Sequence, residues 1–292
     1  MKPAAFEYAR PMSLDEACAL LADSDDVRVI AGGQTLVPLM AMRLARPRRL
    51  VDIARIPDLA FIRKEGETIV VGATTRQCVL ERDPLVCAEL PLLAKVMPFV
   101  GHAATRARGT IGGSLANADP AAEIALVAAT LGATLVYRDG AVTADMPAAR
   151  FFVGPMMTAL PATACLTAVR FPVWSLATNE RLGVGFHEVN ARASDFAFAA
   201  AAAQIVLDRN GICRRLALGI GAVTPVPLRL NRVEEALVGR RLEADDARNA
   251  VTAGLADVEP LADVHASAAY RRRAAATLAV RAIADACAAA KA

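Results

Sequence analysis

Aromatic side chains are scarce in this sequence: they make up 4% of 292 residues, with a single tryptophan. Few rings are left over for stacking on nucleic-acid bases. Positive charge is not in surplus either, since 33 Lys and Arg against 30 Asp and Glu leave a formal net charge of +3. A nucleic-acid surface concentrates basic residues on one face. Here the largest basic clusters, Arg46–Arg49 (interrupted by Pro47) and Arg271–Arg273, are short. Nucleic acid is therefore excluded as a partner. Both clusters read most simply as solvated faces, with a partner subunit as the alternative occupant for Arg271–Arg273.

No pair among the six cysteines has C-x-x-C spacing, and the three histidines, His102, His187 and His265, stand far apart. Zinc and iron–sulfur sites need clustered ligands, so no metal site is expected in this chain. No apolar stretch near the start has the form of a secretory signal, which makes the cysteines reduced, mostly buried residues of a cytoplasmic protein. The apolar runs Ile124–Val136 and Phe196–Leu207 are too short to span about 30 Å of hydrocarbon. The sequence carries neither the G-x-x-x-x-G-K-[ST] phosphate loop nor a G-x-G-x-x-G turn opening a dinucleotide βαβ unit. No Ser-His-Asp arrangement or catalytic carboxylate pair stands out, and no catalytic residue is assigned.

What is present is a large apolar core: 55% hydrophobic against 22% charged residues. That balance belongs to a folded chain, and its length suits two domains. Ser13 with Glu16 predicts a helix N-cap and capping box, with the helix running to about Ala22. Strands are expected over Val27–Ile30, Leu50–Ile53, Thr68–Gly72, Thr134–Tyr137 and Ala164–Phe171. Residues 35–44 have helical potential, and 84–100 have helical spacing broken by Pro91 and Pro98. Asp119-Pro120 predicts an N-cap and first position of a further helix. Residues 172–179 are the best linker candidate, and Trp174 within it is expected to pack between domains. Phe196–Leu207, Leu216–Val223 and a helical tail from about Ala266 make a second αβ unit.

Two glycine pairs dominate the pattern, Ala31-Gly32-Gly33-Gln34-Thr35 and Thr110-Ile111-Gly112-Gly113-Ser114. Each reads as a turn with a hydroxyl residue beside it. Glycine lets a backbone approach a ligand closely, and successive N–H groups can form a concavity that suits a pyrophosphate. The plainer alternative is a tight turn between strands. Spacing alone does not choose between them, nor name a ligand.

The longer segments around these turns carry more. Residues 31–40, Ala-Gly-Gly-Gln-Thr-Leu-Val-Pro-Leu-Met, resemble the first FAD motif of the medium subunits of molybdenum hydroxylases. Residues 109–123, Gly-Thr-Ile-Gly-Gly-Ser-Leu-Ala-Asn-Ala-Asp-Pro-Ala-Ala-Glu, resemble the second. These are the flavoproteins of the carbon monoxide dehydrogenase and xanthine dehydrogenase group. The resemblance continues through Gly185–Glu188, Asp195–Ala197 and Ser267–Arg271, and so covers nearly the whole chain. It implies an α+β protein: a two-part PCMH-type, vanillyl-alcohol-oxidase-like FAD-binding domain over 1–174, divided near 55, then a smaller α/β C-terminal domain over 175–292. It implies non-covalent FAD, with Ala31, Gly32, Gly33, Gln34, Thr35 and Leu36 on one side of the diphosphate and Thr110, Ile111, Gly112, Gly113 and Ser114 on the other. Glu123 falls where relatives place a carboxylate near the ribityl hydroxyls. Leu166 falls at a backbone contact to the flavin, and Phe196 against the isoalloxazine face. Asp119 is both a ligand-orienting candidate and a cap.

The implied activity is electron transfer. A large partner subunit would hold the molybdenum cofactor and a small one two [2Fe–2S] clusters, in a dimer of heterotrimers. This chain would pass electrons from the clusters through FAD to an external acceptor. Many medium subunits have Asn where this chain has Ala107, His where it has Asn117, and Tyr or an aliphatic residue where it has Phe196. A self-contained oxidase or dehydrogenase of the vanillyl-alcohol oxidase type is the alternative. A binding module that kept the fold without the activity is a third reading. His102 is expected to serve loop packing rather than catalysis, and His187 to lie at the surface.

Overall fold

The computed structural model describes residues 2–23 and 26–291. Met1 and Ala292, with which the two expected domains begin and end, lie outside the described residues. The chain starts with a small α/β layer: β1 (Glu7–Ala9), α1 (Leu14–Ala22), β2 (Val27–Ile30), α2 (Leu36–Ala41) and β3 (Arg49–Asp52). Its three strands are parallel in the order β1-β3-β2. α1 begins where Ser13 Oγ accepts from the Glu16 N–H at 3.2 Å. The Glu16 carboxylate accepts instead from the Met12 N–H at 2.8 Å, so the capping box is only half formed.

An antiparallel sheet follows. β4 (Ile62–Glu65) and β5 (Thr68–Gly72) lead into short helices α3 (Gln77–Leu80), α4 (Pro84–Glu89), α5 (Pro91–Val96), α6 (Ala103–Arg108), α7 (Ile111–Asn117) and α8 (Glu123–Leu131). Then come β6 (Thr134–Asp139), β7 (Val142–Pro147), α9 (Ala148–Phe151), the hairpin β8 (Phe152–Gly154) and β9 (Met157–Thr158), and β10 (Ala164–Pro172). The sheet order is β4-β5-β10-β6-β7.

After the connection at 173–180, β11 (Arg181–Asn190), β12 (Ala197–Leu207), β13 (Cys213–Gly221) and β14 (Leu228–Arg229) form a four-stranded antiparallel sheet in that order. Helices α10 (Asn231–Leu237), α11 (Ala244–Gly254) and the long α12 (Ala268–Lys291) complete the chain. This last sheet is covered on both faces. Side chains alternate along a strand, and in β12 Ala200 and Ala202 join the core around α8, while Ala199, Ala201 and Ala203 join the core around α12. The alanine run is thus a strand between two helical layers, small enough for both to close on it. One core is therefore shared between the halves: Phe186, Ala200 and Ala222 pack with Ile124 and Leu126.

Three expectations need correction. Gly112 and Gly113 do not form a turn: they lie in α7, whose N-cap Thr110 accepts from the Gly113 N–H at 3.1 Å. Asp119 does not cap α8, which starts at Glu123. Asp119 Oδ1 instead accepts from the Ala121 N–H at 2.9 Å, and the Pro120 carbonyl accepts from Ala222 N–H at 2.7 Å, holding this segment against the last sheet as a loop. Arg271 is not on a solvated face: it is 4% exposed and donates to the carbonyls of Phe198 and Ala222, each at 2.6 Å, and to Asp263 at 2.5 Å.

Trp174 is buried in the connection, against Leu182, Val206 and Ala217, with the Arg215 guanidinium 3.9 Å from its ring centroid. Cys18, Cys165, Cys213 and Cys287 are buried and unbridged, Cys78 is half-buried and Cys87 exposed. Burial pushes the thiols of Cys165 and Cys213 up to about 12, so both stay protonated. Among the described residues no helix is long and apolar enough to cross a membrane, and no cluster of His, Cys, Asp or Glu has the makings of a metal site.

Candidate functional site

The three sheets meet at a cavity of about 600 Å³, within the range of small-molecule and cofactor sites. β2 delivers the first glycine pair to its wall. Gly33 turns the chain at φ +68°, and Gln34 folds back to donate from Nε2 to the Gly32 carbonyl at 3.0 Å. α7 delivers the second pair, α8 delivers Glu123 at its first position, β10 delivers Leu166, and the loop before β12 delivers Phe196. All of the residues expected to touch a cofactor line this cavity except Ile111, which is fully buried in the core.

The two glycine segments contribute differently. The backbone N–H groups of Gly33, Gln34 and Thr35 donate to no described residue. In α7 every early N–H is already used: Ile111 on the Thr75 carbonyl, Gly112 on the Ala73 carbonyl, Gly113 on Thr110 Oγ and Ser114 on the Thr110 carbonyl. The first segment therefore offers donors, and the second offers shape. A Cβ at Gly112 would stand 2.5 Å from the Ala73 Cβ, so glycine there seats α7 on the end of β5. Arg28 is the one arginine or lysine among the described lining residues. An anionic group would be met mainly by backbone dipoles.

Leu166, Leu160 and the exposed Met156 and Phe196 give the cavity an apolar lining as well. Glu123, 9% exposed, also lines the cavity. Burial, with the neighbouring Glu188 and Asp119 charges adding to it and its own backbone N–H opposing it, pushes this carboxyl up to about 8. At neutral pH it is a neutral acid, able to donate as well as accept. A donor-rich turn, a buried carboxyl and apolar side chains with a ring are groups whose chemistry suits the diphosphate, ribityl and isoalloxazine parts of FAD.

Gly101, His102, Met156, Ser194 and Asp195 also line the cavity. Motif reading did not single out the last three as cofactor contacts. Met156 and Ser194 carry φ of +58° and +65°, turn conformations that short polar or apolar stretches do not announce. His102 is the exposed N-cap residue of α6. His187 lies elsewhere, with Nε2 2.9 Å from Asp285 Oδ2 on α12.

Residues 4–174 match the model of the FAD binding domain in molybdopterin dehydrogenase, and residues 185–286 that of the CO dehydrogenase flavoprotein C-terminal domain. The alpha subunit of the 6-hydroxypseudooxynicotine dehydrogenase complex of Paenarthrobacter nicotinovorans is 35% identical over 98% of this chain and 96% of its own length. The solved structure of quinoline 2-oxidoreductase from Pseudomonas putida 86 superposes with a TM-score of 0.92 at 36% identity, covering 98% of each chain. Carbon monoxide dehydrogenase from Hydrogenophaga pseudoflava, solved without the Mo-pyranopterin moiety of its molybdenum cofactor, gives 0.93 at 33% identity over 99% of each chain.

Proposed function

The chain belongs to the FAD-binding medium subunits of the molybdenum hydroxylase family, and on that premise we propose that it takes electrons from a [2Fe–2S] cluster of a small partner subunit and passes them through FAD to an external acceptor. A large partner subunit holds the molybdenum cofactor and hydroxylates the substrate, and two copies of each of the three chains assemble. FAD supplies the exchange between one-electron and two-electron carriers.

The observation that carries the reading is one cavity that brings together the unpaired N–H groups of the first glycine segment, the second glycine pair, Glu123, Leu166 and Phe196. The chain's own residues bind and orient. The N–H groups of Gly33, Gln34 and Thr35 hold the diphosphate. Thr110, Gly112, Gly113 and Ser114 form the opposite wall. Glu123 meets the ribityl hydroxyls, Leu166 makes a backbone contact to the flavin, and Phe196 covers the ring from the second half of the chain. Neither His nor Cys stands in the first turn, so attachment is non-covalent. The functional halves divide at 174/175, and the first divides again near 55, between the parallel and the antiparallel sheets.

Co-purification of the chain with molybdenum and [2Fe–2S] subunits, and reoxidation of its flavin by an external acceptor, tests this. Turnover of a small substrate by the chain alone would instead make it a self-contained oxidase.

A further inference from the structure

Alternation along β11 sorts its side chains between two helical layers. Phe186 faces the FAD half, edge-on to Phe99 with ring centroids 4.8 Å apart. His187 faces the other way, to Asp285 on α12. Glu188 shares the face of Phe186, and its cross-strand neighbour Ala200 belongs to the same core as Ile124 and Ala125. A carboxyl therefore lies on an apolar junction between the two halves of the chain. Its Oε2 is shut off from solvent and has no hydrogen-bond partner. Its Oε1 accepts from Asn190 Nδ2 at 2.9 Å.

Asn190 continues the connection. The same Nδ2 lies 3.4 Å from the Asp195 carbonyl, and Asp195 Oδ1 accepts from the Phe196 N–H at 2.9 Å. Residues 194–196 line the cavity mouth. The charges of Glu188 and Asp119 act on Glu123, which lines the same cavity. A buried carboxyl without a cation keeps its proton, and that proton needs an acceptor. Burial pushes Glu188 up to about 7 and Glu123 up to about 8.

We propose that Glu188 is a positioning residue for the flavin site: through Asn190 it fixes the loop that carries Phe196. This rests on FAD occupying the cavity. It adds a residue outside both glycine motifs, and it makes the order of the mouth depend on pH. Once both carboxyls ionise they repel, and the loop is released.

The test compares the full-length wild type with E188Q and E188A, each first checked for folding by thermal melting. FAD affinity, visible circular dichroism of bound flavin and amide hydrogen exchange over residues 191–196 are measured. At about pH 6, E188Q keeps wild-type values because its amide oxygen still accepts from Asn190, whereas E188A binds FAD about tenfold more weakly, with faster exchange in the loop. At about pH 9 the wild type comes to resemble E188A, and E188Q does not. An E188A chain indistinguishable from wild type in affinity, dichroism and exchange overturns the proposal, as does an E188Q chain that behaves like E188A. If wild type binds no FAD, the functional reading fails instead, and loop exchange in the flavin-free variants still decides the role of Glu188.

Discussion

Gly32 lies against the backbone of Arg108, so closely that a Cβ added at position 32 would stand 2.5 Å from the Arg108 carbonyl oxygen and 2.9 Å from the Gly109 Cα. The two glycine segments, 77 residues apart by the difference of 109 and 32, thus touch through main chain. Each fixes where the other can sit. Gly32→Ala is expected to force them apart and weaken FAD binding by at least tenfold. Overpacking of this kind costs about 1–3 kcal/mol. Flavin-fluorescence titration of the variant measures the loss.

Glu123 sets the pH dependence of the flavin-free chain. Its carboxyl titrates at about 8 in the fold against an ordinary 4.5. Between those values the folded chain holds a proton that the unfolded chain has released. The stability associated with this group is therefore highest below pH 4.5 and falls as pH rises to about 8. Glu123→Gln removes this group's share of the fall and leaves that of Glu188, and above pH 8 the variant should be more stable than wild type by about 5 kcal/mol. Urea unfolding across this pH range reads the difference. A wild-type curve as flat as that of the variant would contradict it.

Much of this site was legible because it is built from main chain at glycines and from short local signals. Val27–Ile30 running into Gly32-Gly33 read as strand and turn, and is both. The second pair misled by its composition: two glycines suggested a turn, but tertiary contacts of Gly112 with Ala73 override glycine's poor helix propensity. Asp119-Pro120 misled because the loop is held by a hydrogen bond to Ala222, about a hundred residues on. Arg271 looked solvated because nothing near it in sequence shows that Phe198 and Ala222 present bare carbonyls there. Glu188 carries no local signal of its own, since its isolation depends on partners distant in sequence.

The cap of α7 has a separable effect. Thr110 Oγ accepts from Gly113 N–H, and the residue is 2% exposed. Thr110→Val keeps the shape and removes the acceptor. A loss of about 1 kcal/mol in stability is expected from the cap, together with weaker FAD binding. Thr110→Ser should restore most of both. Equal behaviour of the valine and serine variants would show that the hydroxyl has no such part.

Arg271 holds the second half together. Replacing it with methionine would leave the Phe198 and Ala222 carbonyls and Asp263 without their donor. Asp263, half exposed, keeps the N–H groups of His265 and Ala266, so the cost is that of two carbonyls left unpaired, about 1–3 kcal/mol each. Denaturant unfolding of Arg271→Met should show a loss of this order, with hydrogen exchange rising first in β12 and α12. A loss below about 1 kcal/mol would mean that solvent replaces the guanidinium freely.

The most direct measurement is a visible absorption spectrum of the chain purified alone, followed by denaturation and identification of the nucleotide released. A yellow chain that releases FAD, in an amount equal to the protein and with none left attached, is the predicted result. A colourless chain that also fails to take up added FAD would contradict the account and reduce both glycine pairs to packing.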